Sequence, residues 1–93
     1  MRFEWDRGKA EANLKKHGIT FDEAVTVFYD SLSATFDDPD HSHGERRFVT
    51  VGYSSQGHLL VVCHTDRQRA IRVISARRAT THERKRHESE RTI

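Results

Sequence analysis

The segment Arg69-Ala70-Ile71-Arg72-Val73-Ile74-Ser75-Ala76-Arg77-Arg78 places cationic side chains inside a strand-like apolar run. Successive side chains of a strand point to opposite faces. Ala70, Arg72, Ile74 and Ala76 are therefore expected on one face, and Ile71, Val73, Ser75 and Arg77 on the other. A guanidinium in mid-strand is costly unless a carboxylate pairs with it or it faces an open side of the sheet. His64 lies in the preceding apolar run, and Arg46 and Arg47 in the one before that. Such residues suit a metal-free attack within RNA. A base takes the proton of a ribose 2′-hydroxyl, Arg or Lys offsets the charge that develops at phosphorus, and an acid protonates the leaving oxygen. A purely structural reading competes, in which Arg72 pairs with Glu83 or Asp6 and His64 is a satisfied sheet histidine.

Other chemistries find little support. There is no Gly-rich phosphate loop, no Gly-x-Ser-x-Gly elbow and no paired Cys motif. The single cysteine, Cys63, excludes an internal disulfide and points to a reducing compartment. It sits in the most apolar run, where it behaves as a small hydrophobe. Among 7 histidines only His41-x-His43, and His82 with His87, are close in sequence. Zinc needs three or four convergent ligands, so no metal site is expected. No stretch approaches the roughly 20 apolar residues of a membrane span, and the N-terminus lacks the apolar core of a signal peptide, so a cytoplasmic protein is expected. Charge is uneven. Residues 1–66 carry 7 Lys/Arg against 11 Asp/Glu, and residues 67–93 carry 9 against 3. One-ended basicity suits a phosphate-binding surface, and it equally suits a solvated tail.

The elements that must position these residues follow from local signals. Phe3-Glu4-Trp5 alternates like a first strand. Asp6 is a good N-cap for a helix from Arg7 to His17, and Gly18 suits its C-terminal end. Thr20 with Glu23 forms a capping box. Behind it Phe21, Ala24, Val25 and Phe28 make the stripe of an amphipathic helix. A short strand is expected around Ala34-Thr35-Phe36, and the run from Asp37 to Gly44 is a loop. Strands are expected at Arg46–Tyr53, His58–Thr65 and Ala70–Ala76, with connections short enough for antiparallel hairpins. The run Leu59-Leu60-Val61-Val62-Cys63 should be central and covered on both faces. Thr80 with Glu83 repeats the capping box and opens a last helix to about Arg91, which has almost no apolar face. The order is β-α-α-β-β-β-β-α: an α+β fold with helices packed on one mainly antiparallel sheet, in a single domain over residues 1–93.

The motifs also carry a resemblance. Phe3-Glu4-Trp5-Asp6, Lys9-Ala10, Asn13, Lys16-His17-Gly18-Ile19, Phe21 and Glu23-Ala24 resemble the N-terminal signature of BrnT-type toxins. Arg47-Phe48, Gly52, Val61-Val62-x-His64-Thr65, Arg72-x-Ile74-Ser75-Ala76-Arg77 and Glu83-Arg84 resemble its second half. The likeness implies a RelE-like ribonuclease fold, a toxin that cleaves RNA and inhibits translation, and neutralisation by a cognate BrnA-type antitoxin. The toxin would reach operator DNA only through that antitoxin. RNA, free or on the ribosome, is the implied substrate, with no cofactor. Carried onto matching positions, Arg72 and Arg77 are expected to hold the scissile phosphate, with His64 or Glu83 as base or acid. Lys16, His17, Arg47 and Arg84 are expected to guide the RNA backbone. Many relatives have a tyrosine shortly after Glu83-Arg84. This chain has His87, which can stack and titrate and so joins the RNA-binding set. The alternative is a non-catalytic RNA- or protein-binding module on the same fold, which would bind RNA salt-sensitively without cutting it. A DNA-binding repressor fits poorly, since no helix–turn–helix signature is present.

Overall fold

Asp6, in extended conformation, accepts a hydrogen bond from the Lys9 N–H and so starts helix α1 (Arg7–His17) after strand β1 (Arg2–Trp5). Gly18 ends α1 at φ 70°, the left-handed region in which a Cβ is penalised. The computed structural model describes residues 1–41 and 44–91. Thr20 caps helix α2 (Phe21–Ala24) through the Glu23 N–H. The expected longer helix tightens here into a 3₁₀ turn over Val25–Tyr29. The cause is local. Three successive β-branched residues, Val25, Thr26 and Val27, resist the α conformation, and the Thr26 hydroxyl donates back to the Glu23 carbonyl at 2.6 Å.

Strands β2 (Ala34–Asp37), β3 (Arg47–Tyr53), β4 (Leu59–Arg67) and β5 (Ala70–Arg78) follow, and helix α3 (Thr81–Arg91) closes the chain. The sheet runs β1-β5-β4-β3-β2. Its β3–β4 and β4–β5 pairings are antiparallel, as their short connections favour, and β2–β3 is antiparallel too, but β1 lies parallel to β5. The sheet is therefore mixed, which corrects the antiparallel expectation. The parallel pair joins the first strand to the last, and no local signal in four residues announces so distant a partner.

One face of the sheet carries the main core. Ile19, Phe21, Ala24 and Val27 from the helical layer pack on Leu60, Val62, Val73 and Ala76. Trp5 closes this layer edge-on against Phe21 at 5.8 Å. On the opposite face α3 lies across β3, with the His87 ring 6.1 Å from that of Tyr53. Strand β4 is central and buried toward both layers, as its continuous apolar run predicts.

Candidate nucleic-acid interface

The feature that sets the site is a β-bulge in β5. Cys63 pairs with Ser75 and His64 with Val73, so Ile74 is an extra residue without an opposite number. The bulge resets the alternation. Val73 and Ala76 both enter the core, and Arg72 and Arg77, expected on opposite faces, both point to the face away from α1 and α2. Arg72 is opposite Thr65 and Arg77 opposite Val61, four residues apart on β4. Their backbones are thus roughly 13 Å apart. Cys63 and Ser75 lie between them on the same face. Arg47, opposite Thr65 on its other side, extends the basic row across three strands.

A carboxylate orients each arginine. Arg72 Nη1 donates to Glu4 Oε2 at 2.9 Å, from the facing position on β1. Arg77 forks onto Glu83 with bonds of 2.8 and 2.9 Å. Glu83 is fixed in turn by the capping box: its Oε1 accepts the Thr80 N–H at 2.8 Å and its own N–H reaches Thr80 Oγ1 at 3.1 Å. The hydrogen bonds from Arg77, reinforced by Thr80, outweigh partial burial and lower the Glu83 pKa to about 2. The same pairing raises that of Arg77. Glu83 is therefore ionised near neutral pH. It can hold Arg77 in place, but it has no proton to give as a general acid and is a weak base.

The outer edge of β5 is served by α1. Pairing with β1 stops at Val73, and beyond it the buried Asn13 takes the place of a strand. Its Nδ2 donates to the Ala76 carbonyl at 2.9 Å and to the Ile19 carbonyl at 3.0 Å, and its Oδ1 accepts the Ala76 N–H at 3.0 Å. The clamp brings Lys9, Lys16 and His17 to a shallow cleft floored by Ile74 and Ser75. The end of α1 therefore meets β5 at its outer edge, at Ile74 and Ser75. Arg84 is exposed on α3, and His87 is buried beneath that helix.

His64 lies elsewhere. It faces the helical layer, 4 % exposed, with the Phe28 ring at 4.9 Å and the Phe48 ring at 5.8 Å. Its Nε2 is 2.8 Å from Thr50 Oγ1. Burial lowers its pKa, an effect that Asp66 only partly opposes, so the imidazole is kept neutral. The four expected catalytic residues do not form one constellation: Arg72, Arg77 and Glu83 share a face, and His64 is on the other.

Sequence reasoning missed Glu4 as the partner of Arg72, and it missed the Asn13 clamp. It also missed a polar cluster on the helical side, where Glu23 accepts from Ser54 Oγ at 2.6 Å and from His58 Nδ1 at 2.8 Å. Burial acts to raise the Glu23 pKa, and these bonds overcome it and hold the carboxyl below its ordinary range. Among the described residues no three His, Cys, Asp or Glu side chains converge as metal ligands. His41 pairs with Asp38 at 3.0 Å, and His43 lies outside the described residues.

No helix among the described residues is long and apolar enough to cross a membrane. No protein of curated function matches the chain in sequence. Among solved structures, the crystal structure of the Brucella abortus ribonuclease toxin BrnT is similar, at 23% identity and a TM-score of 0.69, over 87% of this chain and 99% of that one. At that identity the likeness speaks for the fold. The model of the family described as the ribonuclease toxin BrnT of type II toxin–antitoxin systems matches residues 5–83. That span holds β1's end, the Asn13 clamp, the bulged β5 and Glu83, and the chain belongs to this BrnT family of ribonuclease toxins.

Proposed function

We propose that this toxin is a metal-independent endoribonuclease in which Arg72 and Arg77 together hold the scissile phosphate. The observation that carries the reading is the β5 bulge, which brings both arginines to one face, each aimed by its own carboxylate. Guanidinium groups fixed in this way offset the charge that grows on the phosphoryl oxygens, without reorganising as it grows. The 2′-oxygen attacks the adjacent phosphorus, the bond to the 5′-oxygen breaks, and the products are a 2′,3′-cyclic phosphate and a free 5′-hydroxyl. The proton of the 2′-hydroxyl must leave and the departing 5′-oxygen must gain one. Solvent at this exposed face takes the first proton and gives the second, and His17, at the β5 edge, helps to guide the RNA backbone. Glu83 serves by fixing Arg77, and Lys16, Arg47 and Arg84 guide the backbone on either side. His64, on the far face, supports the fold beneath the site.

The same reading includes kinship with RelE-like ribonucleases, a cytoplasmic setting, arrest of translation by cutting free or ribosome-bound RNA, and a BrnA-type antitoxin as the neutralising partner and the route to operator DNA. The test is incubation of the purified protein in EDTA with an end-labelled RNA, beside the Arg77→Ala variant. Fragments ending in 2′,3′-cyclic phosphate, and lost in a folded variant, are expected. Salt-sensitive binding of intact RNA, with no cleavage on ribosomes either, would replace the enzyme by a binding module.

A further inference from the structure

The second face of the sheet holds one more feature that the phosphate site does not use. Between α3 and the β2–β3 edge lies a groove lined by Phe36, Val51, Glu83, Arg86, His87 and Glu90. Phe36 is a large aromatic residue left half exposed on an edge strand. His87, at the groove's inner side, is 6 % exposed, and its Nε2 has no hydrogen-bond partner among the described residues. His64 Nδ1 and Thr65 Oγ1 are likewise buried without a partner, so it is the groove beside His87 that marks this position. A half-exposed aromatic face over a groove walled by the His87 ring, with polar Glu83, Arg86 and Glu90 at its rim, matches a flat heterocycle with a hydrogen-bonding edge. Nucleobases have that form, and single-stranded RNA is read by stacking on aromatic side chains together with bonds to base edges.

Position gives the groove its occupant. Glu83 is both a wall of the groove and the residue that orients Arg77, so the groove opens directly from the phosphate site. Helix α3 spans the two: Glu83 stands over β5, His87 beside Tyr53 of β3, and Glu90 beside Phe36 of β2. Three strand spacings, roughly 14 Å, separate β5 from β2.

We infer that the groove between α3 and the β2–β3 edge is a nucleobase subsite, in which Phe36 stacks on a base flanking the scissile phosphate and the His87 ring forms the groove's inner wall. The inference rests on the nuclease reading above and adds to it a source of sequence preference. Base stacking of this kind is worth roughly 5- to 150-fold in affinity per base.

The experiment compares cleavage of a set of short RNAs that differ in one base at each position around a single mapped cut, using wild type, Phe36→Ser, His87→Leu and, as a control away from the groove, Leu32→Ser. Wild type is expected to favour one base at one flanking position by about ten-fold or more. Phe36→Ser and His87→Leu should bring that preference to within about two-fold, by slowing the favoured RNA more than the others, while Leu32→Ser keeps it. Preference unchanged in both groove variants overturns the subsite. So does the absence of any flanking preference in wild type. If Phe36→Ser leaves the preference intact but loses binding of the cognate antitoxin, the groove belongs to a protein partner and the inference is likewise overturned. For a fold-independent check, 3′-monophosphates of the four ribonucleosides are titrated while the Phe36 and His87 ring signals are followed by NMR. Saturable shifts that depend on the base are expected, and their absence counts against the subsite. Wild type that binds RNA without cutting it, yet shows those shifts, would sink the nuclease reading and leave the base site standing.

Discussion

Replacing Asn13 by alanine tests whether β5 is held as described. The substitution removes three hydrogen bonds at once, two to the backbone of Ala76 and one to the Ile19 carbonyl. A net value near 1 kcal/mol each gives a loss of about 3 kcal/mol, more if the buried backbone groups find no replacement. A domain of this size has only ~5–15 kcal/mol in total. At ~4–8 °C per kcal/mol, the melting temperature should fall by roughly 12–24 °C. Function should fall further than stability, because Ala76 sits between the bulge and Arg77. A displacement of about 1 Å at such a position can cost on the order of 100-fold in rate. The assay pairs thermal unfolding with single-turnover RNA cleavage, at a temperature where the variant remains folded. Val27→Ala is the comparison, since it opens a cavity in the same core but removes no hydrogen bond to the β5 backbone. A fall in melting temperature below about 4 °C would refute the clamp. Equal loss of cleavage in both variants would show that Asn13 serves stability alone.

Other outcomes follow from the same geometry. Because pairing depresses Glu83 from its usual 4.5 to about 2, its contribution to stability is complete above pH ~4.5 and lost as pH falls toward 2. The gap in urea midpoint between wild type and Glu83→Gln should close over that window, and it should be modest because both partners are partly solvated. His64→Phe fills the space between Phe28 and Phe48 and removes a buried titratable group. Cleavage should stay within about three-fold of wild type, and the loss of stability that His64 causes as pH drops below its ordinary range should vanish; a rate loss above 100-fold would return His64 to the chemistry. Lys16→Ala should weaken RNA binding without changing the cut position and should reduce the salt slope by roughly 0.7, measured by fluorescence anisotropy at several ionic strengths.

Much of this architecture was legible because the signals are local. Asp6, Gly18, the Thr20–Glu23 box and the Thr80–Glu83 box mark helix ends within one turn. The Ser54–Gly57 and Asp66–Arg69 connections mark hairpins, and the apolar run of β4 marks its central place. What was not legible depends on distant partners. Glu4 meets Arg72 only because β1 docks on β5, and the bulge at Ile74 has no glycine or proline to announce it. Strict alternation therefore separated Arg72 from Arg77, when one extra residue reunites them. His64 carries the right chemistry for a catalytic base. Its side chain, however, follows the parity of Leu60 and Val62 into the helical layer, and that parity, visible in the sequence, was the signal that could have placed it.

The central claim is that Arg72 and Arg77 form one phosphate site on the face away from α1 and α2. It is tested most directly by titrating the protein with an RNA oligonucleotide whose 2′-hydroxyls are methylated, so that it binds and cannot be cut, while the arginine Nε–H signals are followed by NMR. The Arg72 and Arg77 signals are expected to shift together with a single affinity, and the His64 ring signals to stay in place. Shifts at His64 and Phe48 with both arginines unmoved would contradict it.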